Sequence, residues 1–183
     1  MSLAVVSHEG PWTEEDLVGL PDDGQRYELL EGALLVSPPP APRHQRVSFK
    51  LARVLDDQAP PELVVLEAIG VRHPSGVFIP DLLEADRRTA AVNTSGILDS
   101  AAVHMVVEIV SPGSRLVDHT AKPAAYQTAG IRCFWLVELQ DDVTIRAYEW
   151  HEGEYAPSGV MAGNPMELAT PFPLLVDPAD LQF

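Results

Sequence analysis

Apolar residues recur along this chain with two different periods. Between His44 and Asp57, Val47, Leu51, Val54 and Leu55 stand at helical spacing and predict an amphipathic helix. The runs HMVVEIV (His104 to Val110) and IRCFWLVEL (Ile131 to Leu139) are continuous, short and β-branched, which predicts buried strands. LVVLEAIGVRH from Leu63, the turn signal HPSG and VFIPDLLEA together predict an antiparallel hairpin. YELLEGALLVS, Tyr27 to Ser37, predicts a strand pair broken near Glu31 and Gly32. Thr13 to Leu20 reads as a short helix with Thr13 as N-cap and Asp16 at the capping-box position, ended by Pro21 and DDG. PPPAP then punctuates the chain. Residues 87–102 are small and polar and predict a loop with a helical turn. A helix is expected from about Asp118 to Thr128, closing at Ala129-Gly130. VTIRAYEW and the following EGE turn start a peripheral hairpin, and the proline-rich tail from Gly163 reads as irregular, packed by Phe172, Leu174 and Leu175. With no internal repeat and no linker, residues 1–183 predict one α/β or α+β domain with a mixed sheet.

Composition changes this picture little. Of 183 residues 46% are hydrophobic and 21% charged, enough for a core without covalent staples. The one cysteine, Cys133, rules out an intrachain disulfide and suits a reducing compartment. MSLAVV is too short for a signal-peptide core, and no apolar run reaches the ~20 residues of a membrane span, so a cytoplasmic protein without membrane contact is expected. The net charge of −15 opposes nucleic-acid binding as a whole. Its distribution weakens that objection: residues 43–133 hold ten acids and ten bases, and the two flanks carry the excess. A divalent ion would turn the middle positive.

Glu108 lies inside the apolar run HMVVEIV, and a lone carboxylate there costs several kcal/mol on the order of ordinary desolvation penalties. Asp81 sits likewise in FIPDLL. If the two strands are neighbours the acids converge, and two carboxylates repel unless a cation stands between them. Hard ions such as Mg²⁺ take such oxygen ligands. Either acid alone is more readily explained by pairing with an arginine; two in successive core strands reverse that balance and favour the cation. Lys122 is one of only two lysines among twelve basic residues, the other being Lys50. It supplies a compact charge that arginine does not. Its plainer role is a partly exposed helix lysine paired with Asp118, which would cap the helix. On that placement Lys122→Ala leaves melting near wild type.

The order YELLEG, PRHQ, PDLL and VVEIVSPGSRLVDHTAKPAAYQTAGIRCFWLVEL resembles the Uma2 family, a branch of the PD-(D/E)XK nuclease superfamily, from about Trp12 onward. The resemblance implies a restriction-endonuclease-like core, a mixed β-sheet flanked by helices, with an extra N-terminal helix and strand pair and a C-terminal hairpin. It implies an Mg²⁺ or Mn²⁺ site at Asp81 and Glu108. The superfamily's lysine usually follows the second acid by two residues; Val110 holds that place here, and Lys122 matches the Uma2 lysine. Glu28 matches a further acidic site position, and His44 with Gln45 matches an HQ at the helix start. Gly113, Pro123 and Glu138 depart from the usual pattern.

Among other residues, His44 reads first as an exposed residue at a helix start. His151 and Glu152 read as a hairpin tip, Cys133 as a small buried hydrophobe, and Trp135, Tyr126 and Phe134 as core. Two functions follow: a metal-dependent endonuclease cleaving DNA through Asp81, Glu108, Lys122 and Glu28, or a catalytically silent nuclease-fold binding or assembly module. Pairing as a homodimer fits either. On the first, the two carboxylates share one face of the sheet, and Arg43, Arg46, Arg72 and Arg115 edge the cleft.

Overall fold

A computed structural model describes residues 8–182. MSLAVV therefore lies outside the described residues. The elements follow in the order α1 (Glu14–Val18), β1 (Arg26–Leu30), β2 (Ala33–Ser37), α2 (Pro42–Asp56), β3 (Leu63–Glu67), β4 (Gly70–His73), β5 (Gly76–Phe78), β6 (Leu82–Asp86), α3 (Arg87–Val92), β7 (Ile97–Asp99) and β8 (Val103–Ile109). The second half holds α4 (Arg115–His119), α5 (Ala121–Thr128), β9 (Cys133–Leu139), β10 (Val143–His151), β11 (Glu154–Ala162), β12 (Met166–Leu168) and β13 (Leu174–Val176). A six-stranded mixed sheet runs β11-β10-β9-β8-β6-β3, and a five-stranded one runs β2-β1-β5-β4-β7. The α/β class and mixed sheet expected from the pattern are what the chain adopts.

Each face of the main sheet carries a core. On one, Val47, Leu51 and Leu55 of α2 meet Met105, Val107, Trp135 and the C-terminal Phe172 and Leu174. On the other, Phe78 of the smaller sheet and Ala125 and Tyr126 of α5 meet Leu83, Val106 and Phe134. β8 and β9 run parallel, joined by the crossover through α4 and α5.

Three elements differ from expectation. The hairpin expected from Leu63 to Ala85 is bent in the middle of both arms. Its outer halves, β3 and β6, belong to the main sheet, and its inner halves, β4 and β5, to the smaller one. Pro80 has no N–H for a ladder, and Ala68 turns left-handed at φ 52° and donates its N–H to the Asp81 carbonyl at 3.2 Å. This corner sets Asp81 at the seam of the two sheets. The helix expected from Asp118 is two helices broken at Thr120 (φ −128°, ψ −72°). In an unbroken helix the ring of Pro123 would strike the carbonyl of His119; the restart places it in a first turn, where it is tolerated. The tail is less irregular than its prolines suggest, since β12 and β13 pair in it. The Thr13 capping box, the β1–β2 pair and the left-handed Gly130 after α5 form as expected.

Candidate active site

Leu82 of β6 pairs with Val107 of β8 in an antiparallel ladder, so the next positions, Asp81 and Glu108, stand opposite each other. Side chains opposite one another on such strands share a face. This face lies beneath the smaller sheet and α5. β1 brings Arg26 and Glu28 to it, α4 and α5 bring Asp118 and Lys122, and α2, packed on the opposite face, reaches Asp81 and the Ile109 carbonyl with His44. Together they line a cleft of about 450 Å³, walled by Pro38 to Ala41 and by Ser111 to Ser114.

Asp81 is buried and accepts from Arg26 Nη1 at 2.8 Å and from the Ile109 N–H at 2.8 Å, with His44 Nε2 at 3.2 Å. Burial pushes its pKa up, but the His44 hydrogen bond and the Arg26 charge outweigh burial and hold it at about 2. Glu108 accepts from Lys122 Nζ at 2.9 Å and from the Tyr126 hydroxyl at 2.6 Å. Burial pushes the Glu108 carboxyl up, opposed by the Lys122 ammonium and aided by the charges of Asp81, Asp118 and Glu28. Lys122 is 3% exposed and also touches Glu28 at 3.1 Å and Asp118 at 3.7 Å. Burial alone would neutralise it, yet the three carboxylates outweigh burial and raise its pKa. It is a locked ammonium. The same Glu28 oxygen, Oε1, also accepts the Ile79 N–H at 2.8 Å.

The structure thus brings Asp81, Glu108, Lys122 and Glu28 into one cleft, and it corrects several readings of their surroundings. His44 is buried, not exposed: α2 begins at Pro42, which puts His44 on the stripe of Val47, Ser48, Leu51 and Leu55. Its Nε2 donates to the Ile109 carbonyl at 3.0 Å, and its Nδ1 has no partner among the described residues. Lys122 is not a partly exposed helix lysine, so its removal cannot leave stability untouched. Asp118 is no cap; it is 1% exposed, takes the Ser114 hydroxyl on Oδ2, and its Oδ1 accepts no hydrogen bond among the described residues but faces Lys122 Nζ at 3.7 Å. Tyr126 is core and site residue together. Arg43 instead binds the carbonyls of Leu139 and Asp141, Arg72 pairs with Glu14, Arg115 reaches Glu138 at 3.9 Å, and Arg46 is exposed. None of these four lines the cleft. The bases that do are Arg26, His44 and Lys122. Arg26 is the one base of the acidic stretch 1–42 and gave no signal beyond that solitude.

A family model described as "Putative restriction endonuclease", Uma2, matches residues 14–180. The chain belongs to the Uma2 family. Among solved structures, it resembles one titled as a putative nuclease belonging to DUF820 from Anabaena variabilis ATCC 29413. The two share 19% identity over 93% of this chain and 97% of the other, with a TM-score of 0.75. At that identity the likeness shows the fold, here the nuclease-like fold expected for Uma2. No curated protein matches the sequence. Among the described residues no helix is long and apolar enough to cross a membrane.

Proposed function

We propose that this Uma2 chain is a divalent-metal-dependent nuclease acting on DNA, with Asp81 and Glu108 as ligands and Lys122 as the cationic group at the scissile phosphate. One observation carries this reading. The two acids stand opposite each other at the sheet seam, with Lys122 Nζ 2.9 Å from Glu108.

The donor chemistry fits a hard ion. Four carboxylates (Glu28, Asp81, Glu108, Asp118) face two permanent cations (Arg26, Lys122) in the cleft, an excess of two negative charges when His44 is neutral. All the acidic donors are oxygens, and Oδ1 of Asp118 accepts no hydrogen bond among the described residues, facing only Lys122 Nζ at 3.7 Å. Among the described residues no three His, Cys, Asp or Glu side chains form a ready ligand set. Asp81 Oδ1 and both Glu108 oxygens each accept one hydrogen bond and keep a second lone pair, whereas Asp81 Oδ2 meets both the Ile109 N–H and His44 Nε2. An ion must therefore compete with Arg26 and His44 for Asp81, which predicts weak binding until a phosphate supplies further oxygens. When bound, the ion supplies Lewis-acid polarisation and a more acidic water.

The chain's own groups do the rest. Water adds to phosphorus and gives one proton to Glu28, the bond to the leaving alcohol breaks, and that oxygen takes a proton from Lys122, which Glu28 restores across 3.1 Å. Lys122, held as an ammonium, stabilises the developing negative charge and offers the proton; it is no general base. Arg26, its side chain 22% exposed, can exchange Asp81 for a phosphate oxygen and so tie substrate entry to release of the metal-binding acid.

The test is cleavage of plasmid and single-stranded DNA with Mg²⁺ or Mn²⁺ by wild type and Glu108→Gln. Glu108→Gln keeps the side chain's size and is expected to lose at least ~100-fold in rate with its melting temperature little changed, as losses of a key electrostatic group do. Equal cleavage by both proteins would mark a contaminant. The rival reading, a silent binding module, is favoured by the complete hydrogen bonding of Asp81 and Glu108. It gains if wild type neither cleaves nor binds Mn²⁺ in calorimetry.

A further inference from the structure

A second groove opens on the far side of α4 and α5, where β9 and β10 run out beyond the helices. It measures about 310 Å³, near the lower bound of the ~300–1,000 Å³ usual for small-ligand sites. Phe134 and Tyr148 form its floor, ring on ring at 5.8 Å and 23°, and Tyr155 closes one end at 5.7 Å from Phe134. Gln127 stands on the wall. Its Oε1 accepts the Tyr155 N–H at 2.9 Å, which directs the amide NH₂ away from that contact, with no acceptor for it among the described residues. The groove neighbours the catalytic cleft, since Asp118 stands between the two and lines both.

The sheet face beside the groove carries a cation. Arg146 lies opposite Leu136 of the groove wall on one side and Val160 on the other. It is exposed, makes no ion pair among the described residues, and is the one base in the stretch 134–183, against nine acids. An acidic stretch that keeps a single arginine on an aromatic sheet face, next to a phosphate-directed cleft, has the parts of a single-strand track: a stacking ring, an edge donor and a backbone cation.

We infer that this groove takes an unpaired base of a single DNA strand flanking the scissile phosphate, with Tyr148 extending the Phe134 stack onto the base, Gln127 donating to its edge and Arg146 meeting an outlying phosphate. This rests on the nuclease reading for the position of the phosphate. It goes beyond that reading in naming a single strand, and an apolar stack rather than charge, as the basis of recognition.

The experiment measures anisotropy of a short labelled DNA strand, with a duplex of the same sequence beside it. The protein is the full chain carrying Glu108→Gln, so that binding is read without cleavage. Tyr148→Leu, which keeps apolar volume but removes the ring face, is expected to weaken single-strand binding about tenfold, the usual worth of one base–aromatic stack. Tyr148→Phe should bind as the parent does. Arg146→Ala, an exposed change that threatens no packing, should flatten the salt dependence by about 0.7 in log–log slope. Replacing one base of the strand by an abasic unit should cost as much as Tyr148→Leu and add nothing to it. Unchanged affinity in Tyr148→Leu and Arg146→Ala overturns the inference, as does a parent that binds only duplex. Metal-dependent cleavage by the wild-type chain would survive either outcome, so this failure is separable from failure of the nuclease reading. If Arg146→Glu alters the molecular mass in solution but not strand binding, the face is a contact between two copies and the inference falls.

Discussion

Lys122 shows how far one residue's surroundings change its meaning. Held at 2.9–3.7 Å from three carboxylates, it neutralises a cage that could not stay ionised without it. Lys122→Ala is therefore expected to destabilise the fold by ~3–5 kcal/mol at pH 8, the usual cost of stranding buried charge. The loss should shrink toward pH 5, because burial raises both Glu108 and Asp118 and each proton taken up removes a stranded charge. Melting curves at the two pH values check this; equal losses would mean the cage stays ionised without the lysine. Glu84 is the instructive contrast. It too is an acid in an apolar strand, fully buried, with both oxygens unpartnered among the described residues. Burial pushes it from 4.5 to about 7. Between those values the unfolded chain has released this proton and the folded chain has kept it, so the stability due to Glu84 is full below about 4.5 and lost as pH rises to about 7. Glu84→Gln should match wild type at pH 5 and exceed it at pH 8 by up to ~3 kcal/mol, the equivalent of that shift. Identical pH profiles in denaturant titrations would show Glu84 already ionised. An acid in a core strand was legible as unusual at Asp81 and Glu108, but the same signal at Glu84 leads away from the site, because pattern does not tell which cross-strand neighbours an acid meets.

At the level of elements, the site depends on two irregularities. The Thr120 break is the first, and Pro123 accounts for it. Pro123→Ala permits a continuous helix, in which Asp118 and Lys122 still face each other as an i,i+4 pair but turn together relative to Glu28 and Glu108; cleavage should fall about tenfold or more with little change in melting temperature, as small misplacements do. Unaltered kinetics would show that the tertiary contacts of Asp118 and Tyr126 hold the break without the proline. The second is the close approach of β5 to β1. Gly76 has φ +147°, and a Cβ there would stand 2.3 Å from the Leu29 carbonyl oxygen. Gly76→Ala should force β1 off β5, lower stability by ~2–3 kcal/mol, and loosen Arg26 and Glu28, which β1 carries. A melting temperature equal to wild type would contradict it. Helix and strand positions were mostly legible, since α2, β8 and β9 each follow an unbroken period. The corner at Ala68 and Pro80 was not. The two arms read as one hairpin because alternation continues through a bend that moves the chain from one sheet to another.

Across the whole molecule, charge and topology pull in different directions. With −15 overall and only Arg26, His44 and Lys122 among the bases of the cleft, the Uma2 chain has few cations for a phosphate backbone. The log–log salt dependence of single-strand binding should be shallow, about −2, as expected for two or three phosphate contacts. A slope near −10 would place binding on some other, basic surface. The amino-acid sequence alone determined the α/β class, the acids Asp81 and Glu108 in core strands and the retained Lys122, because hydrophobic period and the penalty for burying charge are local properties of residue order. Tertiary structure alone decided that β6 and β8 pair in the register that sets those acids face to face. It also decided that Arg26 and His44 hold Asp81, that Tyr126 and Asp118 join the cluster, and that Glu84 stands outside it. The physical reason is range. Burial and pairing of these groups come from contacts spanning as many as 94 residues, from Glu28 to Lys122, made where two sheets and two helix ends converge, and no periodicity along the chain encodes which distant partner fills such a seam.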